Sequence, residues 1–339
     1  MVMACVLWTR CKLFGVKNLY SMPHIKPEKL TSGDTIGVIA PASRPTHPSS
    51  LDNGIRTLES LGFQVKIAPH ALDRHGFLAG TDMDRLSDLH AMFSDPEVDG
   101  IICLRGGYGS ARLLPYIDFE LIRTHPKVFV GYSDITVLNN SFYQKTGLIT
   151  FWGPMISSEM SPIFEPYNQH GLLKAITRSE PIGLIEHPSG LPPVQILHAG
   201  KATGRLIGGT LSLLCAVLGT AYDIDYDETI LFFEEVGEEP HRIDRMLTQL
   251  LQSGKLDHVK GIVIGECPGC ESAPYRPAFP YGNFSIEEIF EDRLIPLDIP
   301  IIYGSCIGHG RYKSTLPIGV QATLDADAGE LIIDEAGVR

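Results

Sequence analysis

Three side chains able to share one reaction lie far apart in this chain: Ser133, Glu234 and His309, each following a short apolar run. Serine is a weak nucleophile until a base takes its proton. Histidine can do so near neutral pH, and a carboxylate can hold the imidazole in the useful tautomer. Ser133 sits in Gly131-Tyr132-Ser133-Asp134, after the strand-like Val128-Phe129-Val130 and before a helical pattern from Ile135 to Tyr143. A glycine two residues ahead leaves room for a sharp bend, and the N-terminus of the following helix offers backbone donors to an oxyanion. An α/β-hydrolase elbow also places glycine two positions after the serine, where this chain has Ile135. Taken alone, Ser133 equally fits a helix N-cap. Glu234 fits a helix-capping carboxylate or a partner for Arg242 or Arg245, and His309, between Gly308 and Gly310, fits a turn histidine. Those flanking glycines would also let the backbone present the ring in an open cleft.

Two further clusters have competing explanations. Arg105-Gly106-Gly107-Tyr108-Gly109 can bind a phosphate, supply an oxyanion donor or simply turn the chain. It lacks the P-loop lysine and the dinucleotide-binding glycine spacing, so phosphate ranks last. Cys267-Pro268-Gly269-Cys270 suggests zinc, but a structural site wants four ligands and no second cysteine pair exists; His258 is the nearest supplement. A proline-glycine turn carrying two thiols is the simpler account, and the expectation is no metal and no cofactor.

The elements that must carry these residues follow from periodicity. Short apolar strands at 34–40, 63–67, 98–104 and 128–130 alternate with helical patterns at 51–61 and 81–93. That rhythm implies βαβ units on a mainly parallel sheet, whose C-terminal strand ends are where open α/β folds place ligands. From 154 to 193 prolines interrupt the pattern, which reads as a crossover without packed helices. A second α/β region follows. It has a strand at 194–198, a turn at 201–205, residues 206–210 leading into an apolar helix at 211–218, and strands at 229–233, 259–265 and 299–303. A helix at 239–251, another starting at Ser285, and a closing hairpin from 320–324 and 330–333 complete it. The expected organisation is an extension at 1–22, taken as lying outside the fold, a nucleophile domain at 23–153, a linker at 154–193, and a domain carrying Glu234 and His309 at 194–339.

Composition narrows the partners. With 339 residues, 44% hydrophobic and 20% charged, the chain has an ordinary globular balance and length for two domains. A formal net charge of -12 supplies no basic stripe for nucleic acid or an anionic membrane. Seven cysteines, scattered through apolar runs, do not form a disulfide framework and point to a reducing compartment. No apolar run approaches the roughly 20 residues of a membrane span.

Taken together, Arg105-Gly106-Gly107-Tyr108-Gly109, Gly131-Tyr132-Ser133-Asp134, Phe233-Glu234-Glu235-Val236-Gly237-Glu238 with Arg242-Ile243-Asp244-Arg245-Met246-Leu247, and Gly308-His309-Gly310 resemble the LD-carboxypeptidase family. The likeness runs from about Asp34 to Ile333 and includes the turn Ala40-Pro41-Ala42-Ser43. These are serine peptidases that release the terminal D-alanine of murein tetrapeptides; a related branch comprises immunity peptidases against microcin C. The resemblance implies Ser133 as nucleophile, His309 as base and Glu234 as its orienting carboxylate. It assigns the backbone amides of Gly107 and Asp134 to the oxyanion hole, and implies two domains with the site between them. It further implies a cytoplasmic homodimer acting on a muropeptide or small peptide in cell-wall recycling, without nucleic acid or membrane. Trp152 and Thr210 depart from residues common in the family, and both are expected to line the cleft; Arg105 is a candidate contact for the substrate carboxylate. The alternatives are a peptidase of aminoacyl-nucleotide antibiotics and a muropeptide-binding protein without activity.

Overall fold

The computed structural model describes residues 24–271 and 283–339, so the expected extension at 1–22 lies outside the described residues. The first half runs β1 (Thr35–Ile39), α1 (Pro48–Ser60), β2 (Gln64–Ile67), α2 (Asp82–Ser94), β3 (Gly100–Cys103), α3 (Phe119–Thr124), β4 (Val128–Val130), α4 (Thr136–Thr146) and β5 (Thr150–Trp152). β1, β3 and β4 are buried almost throughout, as strands covered by helices on both faces must be. Thr81 caps α2 through a reciprocal box with Asp84, so the helix starts where Ser/Thr-x-x-acid spacing places it.

The second half runs α5 (Pro166–Thr177), β6 (Gly183–Leu184), β7 (Gln195–His198), β8 (Lys201–Thr210), α6 (Leu211–Ala216), β9 (Thr229–Glu234), α7 (Pro240–Gln252), β10 (Gly261–Ile264), α8 (Ile286–Leu294), β11 (Ile301–Tyr303), β12 (Leu316–Ile318), β13 (Gln321–Asp325) and β14 (Glu330–Ile333). The fold is mixed α/β in two domains, each built around its own sheet. The first sheet is six-stranded, ordered β12-β5-β4-β3-β1-β2, and the second is eight-stranded, ordered β6-β14-β13-β8-β9-β10-β11-β7. β1 to β5 pair in parallel, as do β8 to β11. β13 and β14 form the expected closing hairpin.

Two local expectations need correcting. Residues 201–205 do not turn: they open the ten-residue strand β8, because β9 and β13 offer pairing along its length. The helix expected from Leu211 begins there and runs to Ala216, with the strand ending at Thr210. The proline-rich crossover does contain a helix. α5 begins with Pro166 at its first position, where the missing N–H costs nothing. Periodicity also gave no sign that β12, from the second half of the chain, would leave that half and join β5 in the first sheet.

Helix α4, which follows the nucleophile turn, docks on the end of β8. Asn140 donates to the Gly208 carbonyl at 2.9 Å, and the Thr210 amide donates to Thr136 Oγ1 at 3.1 Å. A side chain at Gly209 would lie 2.4 Å from Thr136, so glycine is required for this approach. The buried apolar residues of both sheets form one continuous cluster, from Ile36 and Phe129 to Phe232 and Ile302. Among the described residues no helix is long and apolar enough to cross a membrane.

Candidate active site

Each chemical group sits at or just beyond the C-terminal end of a parallel strand: Arg105 to Gly109 after β3, Ser133 after β4, Thr210 and Glu234 closing β8 and β9, and His309 after β11. The backbone at Ser133 has φ +60°, a left-handed conformation costing a residue with a side chain roughly 1–2 kcal/mol. The bend lifts its hydroxyl out of the sheet edge. Gly106 lies against it: a Cβ there would approach Ser133 Cβ to 2.8 Å and Oγ to 3.1 Å.

The structure brings the three distant residues together. His309 Nε2 lies 3.0 Å from Ser133 Oγ, and Nδ1 lies 2.7 Å from Glu234 Oε2. A carboxylate partner assigns the ring proton to Nδ1, leaving Nε2 to accept from the serine. Glu234 is fully buried, and its other oxygen accepts from the Thr210 hydroxyl at 2.5 Å. It neither caps α7 nor pairs with Arg242 or Arg245: Arg242 pairs with Glu238 instead. The neighbouring Glu235 accepts from the Ser212 amide at 2.7 Å at the start of α6, and burial pushes its carboxyl above the usual range.

The turns around the serine are stitched to one another. The Ser110 amide donates to the Asp134 carboxylate at 2.7 Å, and the Ser110 hydroxyl donates to the Asp134 carbonyl. Burial raises the Asp134 carboxyl, and the Ser110 amide offsets part of that shift. The Ala40-Pro41-Ala42-Ser43 turn supports the glycine-rich one, because Tyr108 N–H donates to Ser43 Oγ and Ser43 N–H to the Gly106 carbonyl. Buried Arg85 donates to the carbonyls of Pro41 and Gly109, tying both turns to α2. The amides of Gly107 and Asp134 donate to no other atom among the described residues.

Ser133 and His309 open onto a cleft of about 510 Å³ walled by Thr46, Ser49, Ser50, Asn53, Ser157 and Ser158, with Gly107 at its edge. Among the described residues, Arg105 is the one guanidinium or ammonium side chain in its lining, steadied by the Arg44 carbonyl and Thr46 Oγ1. Trp152 and Thr210, expected in the cleft, do not line it. Trp152 is fully buried beneath Tyr132, edge-on at 5.2 Å, because β5 is covered on both faces; Thr210 instead holds Glu234. Sequence reasoning missed Glu159 and Lys313, both of which meet Tyr132, whose ring lies against His309; neither lies in a recognisable motif.

Cys306 also has an imidazole beside it, His187 Nδ1 at 3.6 Å, but burial pushes its thiol up to about 12, far from a thiolate at neutral pH. Cys267 to Cys270 form a tight turn, with Cys270 N–H donating to the Cys267 carbonyl at 3.2 Å. Among the described residues no group of three or more His, Cys, Asp or Glu side chains is arranged to hold a metal ion.

A serine, a histidine and a buried carboxylate in hydrogen-bonded series, beside two unengaged amides, are the components of a serine hydrolase site. The chain belongs to the LD-carboxypeptidase family: residues 36–153 match its N-terminal domain and residues 203–324 its C-terminal domain. It is thus an enzyme of the serine peptidase class, a carboxypeptidase. It is 41% identical over 324 residues to a Bacillus subtilis (strain 168) protein named "Probable murein peptide carboxypeptidase", covering 95% of this chain and 98% of that one. It is 33% identical over 301 residues to the murein tetrapeptide carboxypeptidase of Pseudomonas aeruginosa, covering 86% of this chain and 93% of that one. Among solved structures, an MccF-like protein from Bacillus anthracis str. Ames superposes with a TM-score of 0.80 at 34% identity, over 91% of this chain and 99% of that one.

Proposed function

We propose that this enzyme hydrolyses the L,D peptide bond before the terminal D-alanine of a murein tetrapeptide, through an acyl-enzyme on Ser133. The observation that carries this is the Ser133–His309–Glu234 series, at 3.0 and 2.7 Å, opening onto a polar cleft. Ser133 Oγ attacks the carbonyl carbon as His309 Nε2 takes its proton. Glu234 holds the ring and balances the imidazolium. The amides of Gly107 and Asp134 donate to the developing oxyanion, worth about 3–4 kcal/mol per donor. His309 then passes the proton to the leaving nitrogen and D-alanine departs. Water, deprotonated by the same imidazole, releases the shortened peptide and restores the serine.

Arg105 suits the free carboxylate of the departing residue, since a carboxypeptidase must recognise a chain end and this guanidinium opens onto the cleft. The cytoplasmic, homodimeric setting typical of the family belongs to the same proposal. The likeness to an MccF-like structure favours one second reading, cleavage of an aminoacyl nucleotide. Mass spectrometry of a murein tetrapeptide after incubation tests the first: loss of one alanine with wild type and none with Ser133→Ala is the expected result. An intact tetrapeptide alongside a cleaved aminoacyl sulfamoyl adenylate would favour the second. Turnover by Ser133→Ala at the wild-type rate would remove Ser133 from the chemistry.

A further inference from the structure

Lys313, four residues after His309, does not line the cleft and is fully buried. Taking an ammonium out of water costs several kcal/mol unless its partners replace the lost hydration. Three partners surround it. Nζ donates to the Gly308 carbonyl, immediately before His309, at 2.5 Å. It sits over the Tyr132 ring, 4.1 Å from the centroid, and 3.6 Å from Glu159 Oε1.

These partners belong to opposite sides of the site. Gly308 and His309 follow β11 of the second sheet, whereas Tyr132 immediately precedes Ser133 and Glu159 follows β5 of the first. Tyr132 in turn donates to Glu159 Oε1 at 2.7 Å and lies against the His309 ring, with centroids 5.0 Å apart. Glu159 also accepts from the Met155 amide and the Ser158 hydroxyl, so its place is set independently of Lys313. Asn168 on α5 holds the lysine backbone, accepting from its N–H at 2.6 Å. One buried cation therefore links the loop that bears the base to the turn that bears the nucleophile.

We propose that Lys313 is a positioning residue for the hydrolysis, pinning the Gly308–His309 backbone against Tyr132 and Glu159 so that the imidazole reaches Ser133. This rests on the Ser133 mechanism proposed above. A misplacement of about 1 Å in such a site costs on the order of 100-fold in rate. Removing one partner of a buried ion pair destabilises because the other charge is left unpaired, whereas replacing both partners is often neutral for stability. The rate effect therefore separates from stability in a variant that removes both charges.

The test is Lys313→Met, with Lys313→Met/Glu159→Gln as a second variant that removes both charges. Expected for the double variant are a kcat about 100-fold lower, a KM within a few-fold of wild type and an unfolding midpoint near that of wild type, and for Lys313→Met the same kinetics at a lower midpoint. The rate of Ser133 labelling by a fluorophosphonate should fall in parallel. The downfield proton resonance of the His309–Glu234 hydrogen bond should shift or broaden. Normal kcat and labelling rate would overturn the proposal, as would a loss matched by the loss of folded enzyme. If Lys313→Met does not fold, the double variant decides by the same measurements, and collapse of both would make Lys313 a stability residue and overturn the proposal equally. Labelling of wild type that Ser133→Ala abolishes establishes the nucleophile separately. A failure of the Lys313 inference is thereby distinguished from a failure of the mechanism beneath it.

Discussion

Ser133 stands on bent backbone at the rim of the first sheet, whereas Glu234 and His309 are set among buried hydrogen-bonded partners in the second. On the first side the local chain does the work. A left-handed φ of +60° and the glycine at 106 aim the hydroxyl, and the adjoining turns leave two amides unengaged. On the second side tertiary packing does it. A fully buried carboxylate keeps its orientation only because Thr210 and His309 satisfy its oxygens. A nucleophile must be accessible and can tolerate strain, while an orienting carboxylate must be immobile and cannot tolerate an unpaired oxygen. The same contrast separates Arg105, open to the cleft, from Lys313, fully buried.

Substitutions should break the two sides differently. The largest effect is expected for Ser133→Ala, which removes the proposed attacking atom: kcat should fall by on the order of 10⁶ in steady-state assays, with the fold intact. Glu234→Gln keeps the shape but offers the ring the wrong hydrogen-bond pattern, and a fall of about 10⁴ in kcat is expected. A loss equal to that of Ser133→Ala would show instead that the second side had collapsed. Thr210→Val removes one donor to Glu234, and denaturant unfolding should show about 1–3 kcal/mol lost for the unpaired buried oxygen. No change there would mean that Glu234 does not depend on Thr210. The smallest effect sharpens the strain argument. Ser133→Gly should unfold at a higher denaturant concentration than Ser133→Ala, by about 1 kcal/mol, since only glycine relaxes at positive φ. Equal stability of the two would remove backbone strain from the account of the nucleophile turn.

Much of this was legible in the order of residues. β1, β3 and β4 are short apolar runs, α2 carries its own capping signal, Ser133 and His309 each follow a strand, and Glu234 ends one. The failures share a cause. Residues 201–205 look like a turn until β9 and β13 pair with them, and Trp152 looks like a cleft residue until both faces of β5 are covered. The helix α5 was hidden by prolines that oppose helices in general but are tolerated at their first position.

Periodicity and side-chain chemistry are properties of neighbouring residues, so the sequence by itself determined the alternation of strands and helices, the family motifs and the three candidate groups. Only the tertiary structure decided that His309 meets Ser133 across 176 positions of chain, that β12 crosses into the first sheet, and that Lys313 lies between the two sides. Those outcomes depend on how loops close and how two sheets pack. The energies that select them come from burial and from pairing groups that no local pattern brings together.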